Sequence, residues 1–154
     1  MMPSIKLSLP NEIKRHWLEN RFMQNVSKTV ANWIKISDYD LITAAAMLKS
    51  KRYLYVAFTC QQCIEKLMKA LYITLHKDTP PYTHNLIRLS ELIKIESDLS
   101  EEQKETINML NAYYIKTRYS EEMEKLSKNF NKSSAEQMFK QTKNLAAWLK
   151  RKIK

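Results

Sequence analysis

The fold is decided most clearly by residues 53–75, which read YLYVAFTCQQCIEKLMKALYITL. Apolar side chains recur there every three or four positions, and this spacing brings them to one face of an α-helix. The stretch contains neither Gly nor Pro, so nothing in it interrupts helical hydrogen bonding. It therefore predicts a long helix with one face in the core. The apolar stripe consists of Val56, Cys60, Ile64, Leu67, Leu71 and Leu75.

The composition of the whole chain favours the same secondary structure. Its 154 residues include no Gly and only four Pro, so the residues that make the tight turns of a sheet are scarce. The length suits one hydrophobic core. We expect an all-α fold, an up-and-down bundle of four to five main helices with an extra N-terminal helix. Residues 1–28 should form an N-terminal extension and residues 29–154 the bundle.

The segments on either side of the central stretch extend the helical pattern. Residues 1–10 are expected to be an irregular lead-in, after which Asn11 can cap a short amphipathic helix. A longer helix is predicted from about Thr29 to Ser50. The pair Pro80-Pro81 predicts a loop after the central helix, because it removes two amide donors. Thr83 is then expected to cap a short helix.

Two capping boxes indicate where later helices begin. Ser100 is followed by Gln103, and Ser133 by Glu136, at the spacing that lets two side chains satisfy each other's free amides. Residues 119–132 lie between these helices and are polar, so we expect them to form a connection. The apolar stripe of the first of these helices is predicted to be Ile107, Leu110, Tyr114 and Thr117.

Charge and cysteine content limit the classes of function. The formal net charge is +10, which makes phosphate-bearing partners plausible, although a Lys-rich surface can also simply maintain solubility. No apolar run is long enough to span a membrane and no signal peptide is evident, so we expect a cytoplasmic protein. Cys60 and Cys63 lie mid-helix and suit core packing. With only three His in the chain, we expect no metal and no cofactor.

Residues 61–70, 83–86 and 114–119, in this order along the chain, together resemble the HEPN family, the higher eukaryote and prokaryote nucleotide-binding domain. Residues 61–70, QQCIEKLMKA, are similar to the family's run of paired Gln, Glu-Lys and then Lys-Ala. Residues 83–86, THNL, resemble its Thr-His-Asp-Leu segment. Tyr114 with Arg118 and Tyr119 resembles its closing Tyr and Arg-Tyr-Pro. The earlier part of the resemblance rests on Trp33, Asp40, Leu41, Ala44, Leu48, Tyr53, Ala57 and Phe58.

The chain departs from the family pattern at three points. Asn85 stands where Asp is usual, and Ser120 stands where Pro is usual. Many HEPN toxins also carry an Arg followed four to six residues later by a His, and none of the three His here has an Arg at that spacing. Without that His, metal-free RNA cleavage lacks its usual proton-transfer group.

The resemblance implies a non-catalytic protein that binds a nucleotide or other substrate. It would act beside a minimal nucleotidyltransferase, in a toxin–antitoxin-like pair, and as a homodimer. One alternative is an RNA-cleaving toxin with a non-standard site around His84 and Arg118. Another is a basic RNA-binding or scaffold module.

The candidate phosphate-binding residues come from three segments that the resemblance links. Lys66 and Lys69 lie on one polar stripe of the central helix with Gln62 and Glu65 as supporting residues. Their positions also suit an ordinary solvated face. The other candidates are His84, Tyr114, Arg118 and Tyr119.

Physical chemistry supports each of these candidates and also offers a structural alternative. His84 is placed near a helix N-terminus, where free amides attract an anion, although a lone His can equally lock a loop. Tyr114 and Arg118 are one turn apart and would offer a stacking ring beside a bidentate phosphate binder. They would otherwise be a core Tyr and a peripheral Arg. We expect Lys66 and Lys69 to be partly exposed, sharing an anion with Arg118 and with His84 at the rim.

Overall fold

A computed structural model describes residues 10–116 and 118–154, and these residues form helices and no strand. The helices are α1 (Asn11–Lys49), α2 (Tyr53–His76), α3 (Leu86–Leu92), α4 (Glu101–Lys116), α5 (Ser120–Asn129) and α6 (Lys132–Ile153), with a 3₁₀ turn at Glu96–Asp98. The predicted all-α bundle is confirmed. The lead-in predicted for residues 1–10 lies outside the described residues except for Pro10, and so does Thr117, predicted on the stripe of α4.

The centre of the bundle is α2, and the apolar face predicted for it is buried. It packs against α1, α3, α4 and α6. Val56, Cys60, Ile64 and Leu67 are completely buried, because they lie on the face that these neighbours cover. Leu75 is the exception: it lies in the last turn of the helix and is about half exposed.

The first helix differs from the two helices that were predicted in its place. α1 runs without a break through Thr29, where we expected a new helix to begin. The apolar side chains of the first segment, Ile13 and Trp17 among them, are exposed and do not share the packed face of Trp33 and Ile34, so the sequence suggested two helices where there is one. The segment has no Gly or Pro that would end the helix. We call residues 11–29 the arm; the division into an extension and a bundle at residue 28 stays a prediction.

One predicted cap is confirmed and three are not. Asn11, expected to cap the first helix, is instead its first residue, with Pro10 at the cap position and no side-chain cap. Ser100 and Gln103 exchange both hydrogen bonds of a capping box, at 2.8 and 3.1 Å. The short helix α3 is capped by Asn85 instead of Thr83, and Asn85 accepts from the amides of the two residues after Leu86. Helix α6 is capped by Asn131, which accepts from the Ser134 amide. The capping box predicted at Ser133 is therefore wrong, because the helix already begins one residue earlier, at Lys132.

The polar segment between α4 and α6 is also more regular than predicted. Residues 119–132 were expected to be a connection, but Ser120–Asn129 is a helix, α5. Glu121 and Glu122 fall in its first turn and Lys128 in its last, where charges of those signs stabilise the helix dipole. The segment is short and mostly charged, and its few apolar residues, such as Met123 and Leu126, are too few to stand out as a helical stripe in the sequence. The Pro80-Pro81 loop is confirmed.

Candidate functional site

The candidate site is built around Glu65, which lies on α2 and is only 4% exposed. Its carboxylate accepts hydrogen bonds from Lys69 Nζ at 2.8 Å and from Gln61 Nε2 at 3.0 Å. His84, in the loop before α3, contributes its Nδ1 at 3.0 Å. Because an ionised carboxylate can only accept, Nδ1 carries the proton.

These hydrogen bonds keep Glu65 ionised inside the fold. Burial raises the pKa of the Glu65 carboxyl, since it disfavours the charged form. Hydrogen bonds from Lys69, Gln61 and His84, together with the Lys69 charge, outweigh burial. The pKa of Glu65 therefore falls below its ordinary value of 4.5. At neutral pH the carboxylate both balances Lys69 and fixes the orientation of the imidazole.

Aromatic rings surround the other side of His84. Its ring centroid lies 5.4 Å from that of Tyr114 and 5.7 Å from that of Tyr82. Phe58 stacks on Tyr114, with the ring centroids 5.9 Å apart. Arg118 lies over the Tyr114 ring, with Cζ 4.6 Å from the centroid, and donates a hydrogen bond to the Tyr114 hydroxyl. The loop before α3 and the end of α4 thus converge on the polar face of α2.

The second imidazole nitrogen of His84 is available to a ligand. With Nδ1 bound to Glu65, Nε2 lies on the opposite edge of the ring, and within the described part of the chain it makes no hydrogen bond. The side chain is 36% exposed. Nε2 can therefore accept a proton or hydrogen bond from a bound molecule when neutral, and donate to an anion when protonated.

Two polar residues that the sequence analysis passed over hold this loop in place. Gln61 is completely buried, and its Nε2 donates both to Glu65 and to the backbone oxygen of His84. Asn111 accepts from the Leu86 amide at 2.9 Å. Gln61 lies within the run of residues that resembles the family. Its hydrogen bond to the backbone of His84, 23 residues away, could not be predicted from the neighbouring sequence. Asn85, the departure from the family's Asp, caps α3 with its side-chain oxygen.

The remaining predicted residues divide into those that join the cluster and those that do not. Lys69 joins it but is buried, contrary to the partial exposure expected of it. Gln62 donates to Gln61 at 3.0 Å, so it supports the cluster indirectly. Lys66 instead donates to Asp40 on α1. Tyr119 follows Arg118 with a side chain that is 65% exposed.

A groove of about 780 Å³ lies beside the cluster. One wall is the end of the arm and the start of the packed part of α1, and the other is the Pro loop after α2. Lys69 lines it and lies 5.8 Å from the Trp33 ring. The sequence could not indicate this groove, because its walls are far apart in the chain. Its main lining residues are Phe22, Val26, Trp33, Lys69, Pro81 and Tyr82.

The two cysteines are packed in the core, as predicted. Cys60 is completely buried and Cys63 almost so, and both are free thiols. Burial raises the pKa of Cys60 to about 12 and that of Cys63 to about 11, so neither thiol is a reactive thiolate at neutral pH.

Neither a clustered metal site nor a membrane span is present in the part of the chain that is described. Across residues 10–116 and 118–154, no three His, Cys, Asp or Glu side chains converge as a metal site would require. Within the same ranges, every helix is too short or too polar to cross a bilayer.

Comparison with known proteins places the bundle in a family. No curated protein matches the chain. A solved structure, TT1696 from Thermus thermophilus, has a TM-score of 0.67 and 22% identity, covering 80% of this chain and 97% of that chain. At that identity the likeness shows the fold alone. The family model of the HEPN domain matches residues 30–152. Because this match spans most of the bundle, the chain belongs to the HEPN domain family.

Proposed function

We propose that this chain binds a nucleotide or another phosphate-bearing ligand at the cluster formed by Lys69, His84, Tyr114 and Arg118, without cleaving it. In this role it acts beside a minimal nucleotidyltransferase in a toxin–antitoxin-like pair. The observation that carries the proposal is the position of His84: Glu65 fixes one ring nitrogen and the other lies open, with Arg118 on the neighbouring Tyr114 ring.

The charges of the cluster support an anionic ligand. Glu65 balances Lys69, and Asp40 balances Lys66. Among the described residues no carboxylate pairs with Arg118, so its guanidinium keeps a positive charge that a phosphate can use. A guanidinium also offers several donors in one plane, which suits phosphate oxygens. The anion site therefore depends on Arg118 and His84, and it leaves out Lys66, one of the residues that the sequence analysis had included.

A second candidate function is RNA cleavage at this non-standard site. The Glu65–His84 pair favours it, because a carboxylate that orients an imidazole can prepare Nε2 as a general base. Cleavage also needs a proton donor for the leaving oxygen, and Arg118 is a poor one, since guanidinium does not deprotonate in proteins. The cluster therefore supports binding of a phosphate-bearing ligand better than it supports RNA cleavage.

Calorimetric titration with inorganic triphosphate tests the anion site. Losing one charge-assisted contact of about 1.5 to 3 kcal/mol weakens binding about ten- to a hundredfold, so Arg118→Ala and His84→Ala should each lower affinity by that order. Arg88→Ala is the matched control, since Arg88 pairs with Glu91 on the surface of α3. Lys66→Ala should also bind like the parent. Equal affinity in all four variants and the parent, or no binding by the parent, would contradict the proposal.

The proposed partners need separate measurements. Co-expression with a minimal nucleotidyltransferase encoded beside this chain should give a complex that survives size-exclusion chromatography. Light scattering on the isolated protein tests the proposed homodimer, which should have twice the mass of the 18.3 kDa chain. A monomer at micromolar concentration would contradict that part of the proposal.

A further inference from the structure

The ammonium group of Lys69 has hydrogen-bonding capacity beyond its ion pair. The residue is 6% exposed, and within the described ranges Glu65 is the protein group that accepts a hydrogen bond from it. An ammonium carries three N–H donors, so Lys69 can donate up to two further hydrogen bonds. Since Lys69 lines the groove, these donors are available to whatever the groove holds.

The walls of the groove suit a flat aromatic ring. Trp33, Phe22 and Tyr82 contribute aromatic side chains, and Pro81 adds a flat apolar surface. The volume of about 780 Å³ is within the usual range of about 300–1,000 Å³ for small-molecule sites. A planar heterocycle stacked in the groove would bury apolar surface and place one edge against the Lys69 ammonium.

We propose that the groove binds the base of a guanine nucleotide, with Lys69 donating to O6 and N7. Guanine presents two adjacent acceptors on this edge, whereas adenine presents one acceptor and an amino donor that would oppose an ammonium. This inference rests on the proposed function, because it places the phosphates of the same ligand at His84 and Arg118.

The groove and the phosphate cluster are continuous. Tyr82 lines the groove and also packs edge-on against His84. Lys69 and His84 both donate to Oε1 of Glu65, at 2.8 and 3.0 Å. The two sites are therefore close enough for one nucleotide to contact Lys69 with its base and His84 with its phosphates. Phe22 and Val26 of the arm precede the residues that the family model matches, so this base site depends on a part of the chain outside that match.

Titration of the unmodified protein with four probes tests the inference. GTP and ITP, which share O6 and N7, should bind about tenfold more tightly than ATP, since a well-made pair of contacts to a base edge gives discrimination of that order. Inorganic triphosphate should bind more weakly than GTP. Equal affinity for GTP and ATP would overturn the role of Lys69, and equal affinity for GTP and triphosphate would overturn the base site while leaving the proposed phosphate site intact. No binding by any probe would overturn both.

Variants on the groove wall provide the second arm of the experiment. Tyr82 is 96% exposed, and so Tyr82→Ala should fold normally and weaken GTP about tenfold, clearly more than it weakens triphosphate. Tyr39→Ala is the matched control, because Tyr39 is an exposed aromatic residue that does not line the groove. Lys69→Met should remove the preference for GTP over ATP. If Tyr82→Ala and Tyr39→Ala have the same GTP affinity, the base does not bind in this groove.

Discussion

At the scale of single residues, Glu65 links stability to pH. Its pKa is lower in the folded chain than its ordinary value, so the carboxylate stabilises the fold above that value and the stabilisation is lost as pH falls through the folded pKa. Glu65→Gln should cost about 3 to 5 kcal/mol at pH 7, because it leaves the buried Lys69 ammonium without a charge partner. Denaturant unfolding should show the difference from the parent shrinking below about pH 4.5. A difference that stays constant down to pH 2 would contradict this account.

A second prediction at this scale concerns His84 and RNA cleavage. The Arg-to-His spacing of HEPN ribonucleases is absent from the chain, and Arg118 beside His84 is a poor proton donor for a leaving group. The isolated protein should therefore leave a labelled RNA intact over hours at neutral pH, with His84→Ala indistinguishable from the parent. Turnover that disappears in His84→Ala would instead establish His84 as a general base and favour the second candidate function.

Three Lys residues occupy backbone positions that usually select Gly. Lys51, Lys77 and Lys94 have φ values of 63, 55 and 55°, in turns that follow helices of a chain with no Gly. A side chain at such a φ is strained, so Lys94→Gly should raise the free energy of unfolding by about 0.5 to 1 kcal/mol. Lys104→Gly, inside α4, should lower it by about 1 kcal/mol. Equal effects in chemical denaturation would contradict this reading of the turn.

At the scale of elements, the start of α6 tests which residue caps the helix. Asn131 accepts the Ser134 amide at 3.0 Å, so Asn131→Ala should destabilise the fold by about 1 kcal/mol. Ser133 is exposed and already inside the helix, so Ser133→Ala should change stability by less than about 0.5 kcal/mol. Thermal denaturation followed by circular dichroism distinguishes the two, and the reverse order would restore the capping box predicted from the sequence.

The two ends of α1 differ in their surroundings: one packs against the core and the other, the arm, is exposed. Trp33 and Leu41 pack against the core, whereas Trp17 and Leu18 are more than half exposed. An isolated helix of the arm's length is only marginally stable in water, so the arm is supported chiefly by continuity with the packed half. The proposed base site uses the junction of these halves, where Phe22 and Val26 meet the Pro loop.

At the scale of the whole molecule, the net charge of +10 predicts that any affinity for RNA depends on salt concentration. Contacts between exposed cations and RNA phosphates release counterions, so any RNA affinity should fall at least about tenfold between 50 and 200 mM salt. Nucleotide binding at the buried Lys69 should fall less, because buried charges are screened less. Fluorescence anisotropy and calorimetry at both salt concentrations measure the two effects. RNA affinity that stays tight at 200 mM salt would favour the RNA-binding module instead.

The sequence by itself determined the all-helical fold and the apolar face of α2 that enters the core. Both follow from local properties, namely the three-to-four-residue spacing of apolar side chains and the absence of Gly. It also brought Glu65, Lys69, His84 and Arg118 into consideration, through the family resemblance. It did not reveal that the arm continues into the packed half of α1 without a break, nor that residues 120–129 form a helix, because both segments are largely exposed and packing constrains little of their sequence.

Only the tertiary structure decided which charged side chains form ion pairs. Lys66 and Lys69 are one turn apart and look alike in the sequence, yet one pairs with Asp40 on α1 and the other enters the Glu65 cluster. That difference depends on which neighbour packs against each side of α2. The groove depends likewise on α1 lying beside the Pro loop. Contacts between residues far apart in the sequence leave no repeating pattern along the chain. The sequence therefore suggests which residues could form the site, and the packing of the helices determines which of them do.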